Sequence, residues 1–174
     1  MGGRASSAEM NAHDLPMIRP ATVADDVDIA RIYVDSWNLG FGELMPHRYV
    51  TPELIGRWRQ VLAKPVPYRW WVAVLEGAVV GFAGIGPSRD PVDPALGELD
   101  TIAVEPSCWR SGIGRRLMSV ALDHLAIDGY REAVLWTLAR YPRGQQFYAA
   151  TGWSSDGGTR DQGRQIRYRH SLVS

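Results

Sequence analysis

Val104-Glu105-Pro106-Ser107-Cys108-Trp109-Arg110-Ser111-Gly112-Ile113-Gly114-Arg115-Arg116-Leu117-Met118 is the stretch whose reading decides the fold. An apolar run ends at Val104 and a loop follows. Gly112 and Gly114 then open a segment in which Ile113, Leu117, Val120, Ala121 and Leu125 recur at helical spacing. The first amides of such a helix have no partner within it and carry the positive end of its dipole. An anion fits in front of them. Neither glycine has a side chain to hold a phosphate away, and Arg110, Arg115 and Arg116 add positive charge. By spacing alone the stretch reads equally as a tight strand-to-helix turn. Other glycine-loop chemistries fit worse. A P-loop ends in Gly-Lys-Ser/Thr, whereas Arg115 and Arg116 follow Gly114 here. A dinucleotide fingerprint needs glycine where Leu117 stands, and it belongs to an early βαβ unit.

Working outward, Leu96 to Val104 reads as a long central strand, and the helix after the glycines runs to about Asp128. Upstream, Met17 to Pro20 is a short strand, and Thr22 can cap a helix from Val23 to about Asn38, which Gly40 and Gly42 break. Thr51-Pro52-Glu53 starts a second helix, and Pro65 and Pro67 end it. Trp70 to Leu75 and Ala78 to Ile85 form a hairpin across Glu76-Gly77, and Gly86 to Pro94 is a loop. Downstream come a strand from Glu132 to Leu138, a short helix from Arg143 to Thr151 and a strand starting at Trp153. A polar loop rich in glycine and aspartate then leads to a last strand from Gln165 to Leu172. Strands alternating with helices around a mixed sheet make the chain α/β or α+β.

Composition removes several classes of function. The 174 residues suit one domain, 17–174, behind a small, polar tail, 1–16, expected to be disordered. Nineteen basic and nineteen acidic side chains cancel, against broad nucleic-acid binding. The lone Cys108 forms no internal disulfide and has no His or Asn constellation to make it a nucleophile, so it reads as a loop residue. The four histidines are scattered, and no metal site is expected. No apolar run of about eighteen residues would span a membrane, and the N-terminal stretch lacks a signal peptide's apolar centre, so a cytoplasmic location is expected.

Val-x-Pro followed by Trp109-Arg110-Ser111-Gly112-Ile113-Gly114-Arg115-Arg116-Leu117-Met118 resembles the acetyl-CoA signature of the GNAT superfamily of N-acetyltransferases, Gln/Arg-x-x-Gly-x-Gly/Ala, with Trp109 in the first position. The likeness runs from about Met17 to Leu172. It includes Pro142-Arg143-Gly144-Gln145-Gln146-Phe147-Tyr148-Ala149-Ala150-Thr151-Gly152-Trp153, which is similar to the family's Asn-x-x-Ala-x-x-Phe-Tyr-x-x-x-Gly-Phe/Trp. Tyr141 stands for the asparagine and Gly144 for the alanine. The resemblance implies a mixed, mostly antiparallel sheet of about six or seven strands with splayed central strands, flanked by about four helices. It implies acetyl-CoA or coenzyme A as cofactor. The pantetheine arm would lie along Leu99–Val104, with backbone contacts from Ile102, Ala103 and Val104. The phosphates would meet Trp109, Arg110, Ser111, Gly112, Ile113, Gly114 and Arg115, and Tyr141 and Arg143 would lie on the cofactor side. Dimers are common in the family, so a homodimer is open.

Acetyl transfer to an amine needs the amine deprotonated, the oxyanion of a tetrahedral intermediate stabilised and the thiolate released. An alkyl ammonium has a pKa of about 10, so a base or a proton-relaying water is required. Tyr148 is the expected general acid, placed near the sulfur by the resemblance; it also reads as a packed aromatic with a surface hydroxyl. Glu98 is the expected general base. As strand residues, Glu98 and Asp100 share a face with Ile102 and Val104 unless a bulge intervenes, and two carboxylates beside an apolar patch suit a base. A solvated strand carboxylate is the plainer reading of Glu98, and a water relay the alternative route. Acceptor-side candidates are Trp37, Phe41, Arg89, Asp100 and Trp136, which could hold a carboxylate-bearing amine. The expected substrate is a small-molecule amine. Acetylation of a protein lysine or N-terminus, or acyl-CoA binding without turnover, are the competing readings.

Overall fold

Every residue from Trp70 to Ala73 and from Val79 to Gly86 is buried, the pattern of strands covered on both sheet faces. In the computed structural model, which describes residues 15–89 and 93–173, these runs are the adjacent strands β2 (Arg69–Leu75) and β3 (Ala78–Pro87). Ahead of them come β1 (Met17–Pro20), a 3-10 turn at Val23–Asp25, α1 (Asp26–Phe41) and α2 (Pro52–Leu62). After them come β4 (Leu96–Val104), a 3-10 turn at Pro106–Cys108, α3 (Ile113–Ile127), β5 (Glu132–Leu138), α4 (Pro142–Ala150), β6 (Ser154–Arg160) and β7 (Gln165–Ser171).

The seven strands form one sheet in the order β1-β2-β3-β4-β5-β7-β6. Its pairs are antiparallel except β4–β5, which is parallel and pairs only from Leu96↔Glu132 to Glu98↔Val134. Beyond Glu98 and Val134 the two strands are no longer hydrogen-bonded neighbours, so the expected splaying is present. α1 and α2 cover one face, burying Ile29, Ile32, Leu54 and Trp58 on Trp70, Val72 and Phe82. α3 covers the other, with Ile113, Leu117, Met118 and Leu125 on Trp71, Ile85, Leu99 and Leu135.

Local signals explain the helix starts. Thr51 Oγ1 accepts from the Leu54 amide at 3.2 Å, and Pro52 needs no donor in the first turn. Asp25, ion-paired to Arg19 at 2.8 Å, accepts from the Thr22 amide at 2.7 Å. Asp26 at the start of α1 holds Arg59 of α2 at 2.7 Å, tying the helix pair together.

Three expectations need adjustment. α1 does not stop near Asn38 but runs through Gly40 to Phe41. A Cβ at Gly40 would lie 3.1 Å from the Tyr141 hydroxyl, so this glycine makes room rather than ending the helix. The polar stretch after Trp153 is not all loop, because Ser154–Arg160 pairs with β7 across an irregularity between Ser155 and Thr159. An edge strand needs only backbone groups for its ladder, so Asp156-Gly157-Gly158 is tolerated there. The predicted tail, 1–16, lies outside the described residues except for Leu15 and Pro16.

Two glycines test the packing. A Cβ at Gly84 would lie 2.3 Å from the Trp70 ring, which is wedged between Trp58 and Phe82. Gly84→Ala should therefore destabilise by about 1–3 kcal/mol. A Cβ at Gly56, inside α2, meets nothing within 4 Å, and Gly56→Ala should stabilise by up to about 1 kcal/mol. Urea unfolding midpoints that move the other way, or not at all, would contradict this packing.

Candidate active site

The part of β4 beyond Glu98 has β3 on one side and, among the described residues, no strand on the other. Its free backbone edge faces a cavity of about 890 Å³. One wall is Asp100–Val104 of β4, and the opposite wall is Trp136, Thr137 and Leu138 of β5. The turn before α3 and the inner face of α4 close one end, and Tyr33, Trp37 and Phe41 of α1 close the other. A strand edge without a partner is a ready-made ladder for an extended, amide-bearing ligand. All the sequence-predicted site residues line this cavity except Glu98 and Ser111.

The glycine turn before α3 is built by backbone conformation. Arg110 has φ 64° and Gly112 φ 85°, and Gly112 caps α3. A Cβ on Gly112 would meet no atom within 4 Å, so its surface opens on space rather than on protein. The Gly112 carbonyl accepts from the Arg116 amide at 3.2 Å, which leaves the first-turn amides of α3 without helical acceptors. Gly114 is small for another reason, since a Cβ there would lie 3.3 Å from the Phe147 ring of α4. Trp109 folds back, its Nε1 donating to the Val104 carbonyl at 2.7 Å, and the Arg143 guanidinium stacks 3.6 Å from its ring centroid. Ser111 Oγ donates to the Cys108 carbonyl at 2.5 Å and Arg115 donates to the Ala150 carbonyl at 3.2 Å. Ser111 thus shapes the loop, and Arg115 also ties α3 to the end of α4.

Tyr148 lines the cavity, with its ring 5.6 Å from that of Phe147 and 6.0 Å from that of Tyr168. Burial pushes its phenol well above the ordinary value, and neighbouring Tyr141 adds to the shift. The hydroxyl therefore keeps its proton well into alkaline pH. Burial also raises the Tyr141 phenol, against the opposing charge of Arg143.

Tyr141 packs edge-on against Phe41 at 4.5 Å and so joins α1 to α4. A Cβ at Gly144 would lie 2.4 Å from its ring. The two departures from the resembled motif are one change: the larger side chain at 141 occupies the space of the methyl missing at 144.

At the other end, Tyr33, Trp37 and Phe41 form a ladder at i, i+4, i+8 along α1, with ring separations of 6.0 and 4.9 Å. Arg48 stacks 3.5 Å from the Trp37 ring and bonds to the Tyr33 hydroxyl. Asn38 holds the backbone of Arg48 from both sides, at 2.8 and 2.9 Å. Trp136 carries Arg160 at 4.4 Å over its ring.

Glu98 does not take the face expected of it. Gly84 pairs with Thr101 and Ile85 with Leu99, so Asp100 is the extra residue of a β-bulge. The bulge flips the alternation. Leu99, Ile102 and Val104 pack on the α3 side and Ala103 on the α1–α2 side, so Glu98 does not share a face with Ile102 and Val104. Glu98 is 3% exposed. It accepts from the Arg89 amide at 2.9 Å and from the Arg89 guanidinium at 2.6 and 3.2 Å. Asp100 does line the cavity, 3.4 Å from the same guanidinium. Tyr33, Thr101 and Arg160 also line the cavity without having been read from the sequence. Tyr33 had a signal, its spacing from Trp37, whereas Arg160 reaches the site only through the pairing of β6 with β7.

Residues 27–153 match the model of the Acetyltransferase (GNAT) family. The chain is 32% identical over 130 residues to YuaI of Bacillus subtilis (strain 168), described as an uncharacterised N-acetyltransferase, covering 72% of this chain and 73% of the relative. Among solved structures, YncA of Salmonella typhimurium with its cofactor acetyl-CoA superposes with a TM-score of 0.73 at 21% identity, over 92% of this chain and 95% of that one. The PaiA N-acetyltransferase of Thermoplasma acidophilum in complex with coenzyme A superposes with a TM-score of 0.72 at 15% identity, over 90% and 98%.

The interlock at residues 141 and 144 generates a double-mutant cycle. Gly144→Ala alone should lower stability by about 1–3 kcal/mol, because the Tyr141 ring cannot stay in place. Adding Tyr141→Asn should restore at least half of that loss. Additive effects in thermal unfolding would show that the two positions are independent.

Proposed function

The chain belongs to the GNAT acetyltransferase family and is an acetyl-CoA-dependent acyltransferase; we propose that its acceptor is the primary amine of a small molecule. One observation carries the reading. A single cavity joins the open amides before α3 to a protonated phenol at Tyr148 and to a polar, aromatic end at Trp37, Phe41, Asp100 and Trp136.

The residues present suit coenzyme A. The space in front of Gly112 is one that a Cβ would fill, and the first-turn amides of α3 with Arg110 and Arg143 supply donors and positive charge for linked phosphates. Ile102, Ala103 and Val104 would hold the pantetheine arm along the free edge of β4, and Arg115 and Tyr141 would border the phosphates and arm. When bound, acetyl-CoA supplies an acetyl thioester whose carbonyl carbon is open to a neutral amine nitrogen.

The chain's own residues then have distinct tasks. Backbone N–H groups on the free edge of β4 polarise the acyl carbonyl. Tyr148 Oη holds a proton for the departing sulfur, and the burial that raises the phenol raises a thiolate beside it in the same way. Asp100 is the carboxylate that an incoming ammonium meets in the cavity, and a water accepts the proton that the amine must lose. Glu98 acts through Arg89, holding the guanidinium at the acceptor end beside Asp100, and is a positioning residue in this reading.

Thiol release from acetyl-CoA in the presence of a panel of small amines tests the proposal; no release with any amine, despite cofactor binding, would sink it. Tyr148→Phe should lower kcat about tenfold or more with little change in acetyl-CoA affinity, and an unaltered kcat would remove Tyr148 from the acid role. Glu98→Gln should raise the acceptor KM more than it lowers kcat, with a pH profile parallel to that of the parent enzyme. A selective loss of turnover at low pH would instead make Glu98 the base.

A further inference from the structure

A second chamber of about 450 Å³ adjoins the acceptor end of the main cavity and shares with it the wall formed by Tyr33, Arg89, Asp100 and Thr101. It runs between α2 and the sheet, and its lining is unusual in charge. Arg48, Arg57, Lys64 and Arg89 face it, and Asp100 is the one carboxylate among the described residues that line it. Arg89 is already neutralised by Glu98 at 2.6 Å and Asp100 at 3.4 Å. Among the described residues, Arg48, Arg57 and Lys64 make no ion pair. Arg48 and Lys64 rest on aromatic rings instead: Arg48 over Trp37 and Tyr33 at 3.5 and 5.0 Å, and Lys64 over Tyr68 at 4.8 Å. Stacking orients a cation while leaving its donors open to a ligand.

The rings of Trp58 and Trp70 complete the chamber's lining. The whole chain has no net charge, so this concentration is not a by-product of a basic protein. Positive groups along a cleft with low-dielectric walls focus their field on what lies inside. Carboxylates and phosphates fit such a lining.

We infer that the acceptor is a small amine that also carries a carboxylate or phosphate, and that Arg48, Arg57 and Lys64 bind that anionic group in the side chamber. This inference rests on the small-amine reading above. The amine would cross the shared wall at Asp100 and Thr101 to reach the acyl group, so the chamber selects the acceptor and leaves the chemistry to the main cavity. Arg57 and Lys64 are exposed, so replacing them does not threaten the fold.

The test uses amine pairs differing by one anionic group: O-phosphoserine against serine, glutamate against glutamine, and alanine against alaninamide. The anionic member of at least one pair should show a kcat/KM about tenfold higher, falling with added salt, through a lower KM. In the Arg57→Gln/Lys64→Gln double variant that ratio should collapse toward one. Equal kcat/KM within every pair, or a preference that survives in the double variant, overturns the inference and leaves acetyl transfer standing. If no amine is turned over, the function proposed above fails instead, and calorimetric titration of the coenzyme A-saturated protein with O-phosphoserine decides the chamber's role. Binding that is lost in the double variant supports the inference; absence of binding overturns it.

Discussion

The structure depends on one interruption: β4 and β5 stop pairing after Glu98 and Val134. A continuous sheet would have satisfied the backbone of Leu99–Val104 and left no room between the helical layers. With the pairing broken, that edge finds its partners outside the sheet: the Val104 carbonyl accepts from Trp109 Nε1, and the rest is open to a ligand or water. The bulge at Asp100 works at the same place, turning Ile102 and Val104 toward α3 and bringing Asp100 to the cavity. Every chemical feature of the site is arranged around this gap: the glycine turn at one end, the phenol of α4 in the middle and the aromatic ladder of α1 at the far side.

Much of this could be read from the residues, and the reasons differ by element. β1, β4 and β5 have the bounds read from the residues; in β5 the reason is an apolar run buried on both faces, which leaves an unambiguous pattern. The turn before α3 was legible because a left-handed helix cap and close approach of an anion both demand glycine. The bulge at Asp100 was not legible, since it is a property of how β4 registers against β3 and leaves no mark on β4 itself. The environment of Glu98 was hidden for the same reason, because Arg89 lies on a loop whose course no periodicity describes. The side chamber combines α2, the loop after α1 and β4, which only the tertiary structure brings together.

The site divides its electrostatics into separate compartments. Positive charge at Arg110 and Arg143 stands at the glycine-turn end, a second set at Arg48, Arg57 and Lys64 stands beyond the α1 end, and Tyr148 between them stays neutral. The Arg89–Glu98–Asp100 group, self-compensated, lies at the boundary between the two cavities. A neutral molecule with equal numbers of acids and bases can present two cationic ends only by such segregation.

The fit of Tyr141 over Gly144 also constrains how this part of the fold can vary. With alanine at 144 there is no place for the ring, since the methyl carbon and the aromatic edge would be 2.4 Å apart. A small side chain at 141 tolerates either residue at 144. A methyl group at 144 and the tyrosine ring at 141 therefore exclude each other in this structure. With the ring against Phe41 and over Gly40, a larger residue at 144 is barred unless 141 changes with it, so this corner of the active-site rim can vary only in pairs.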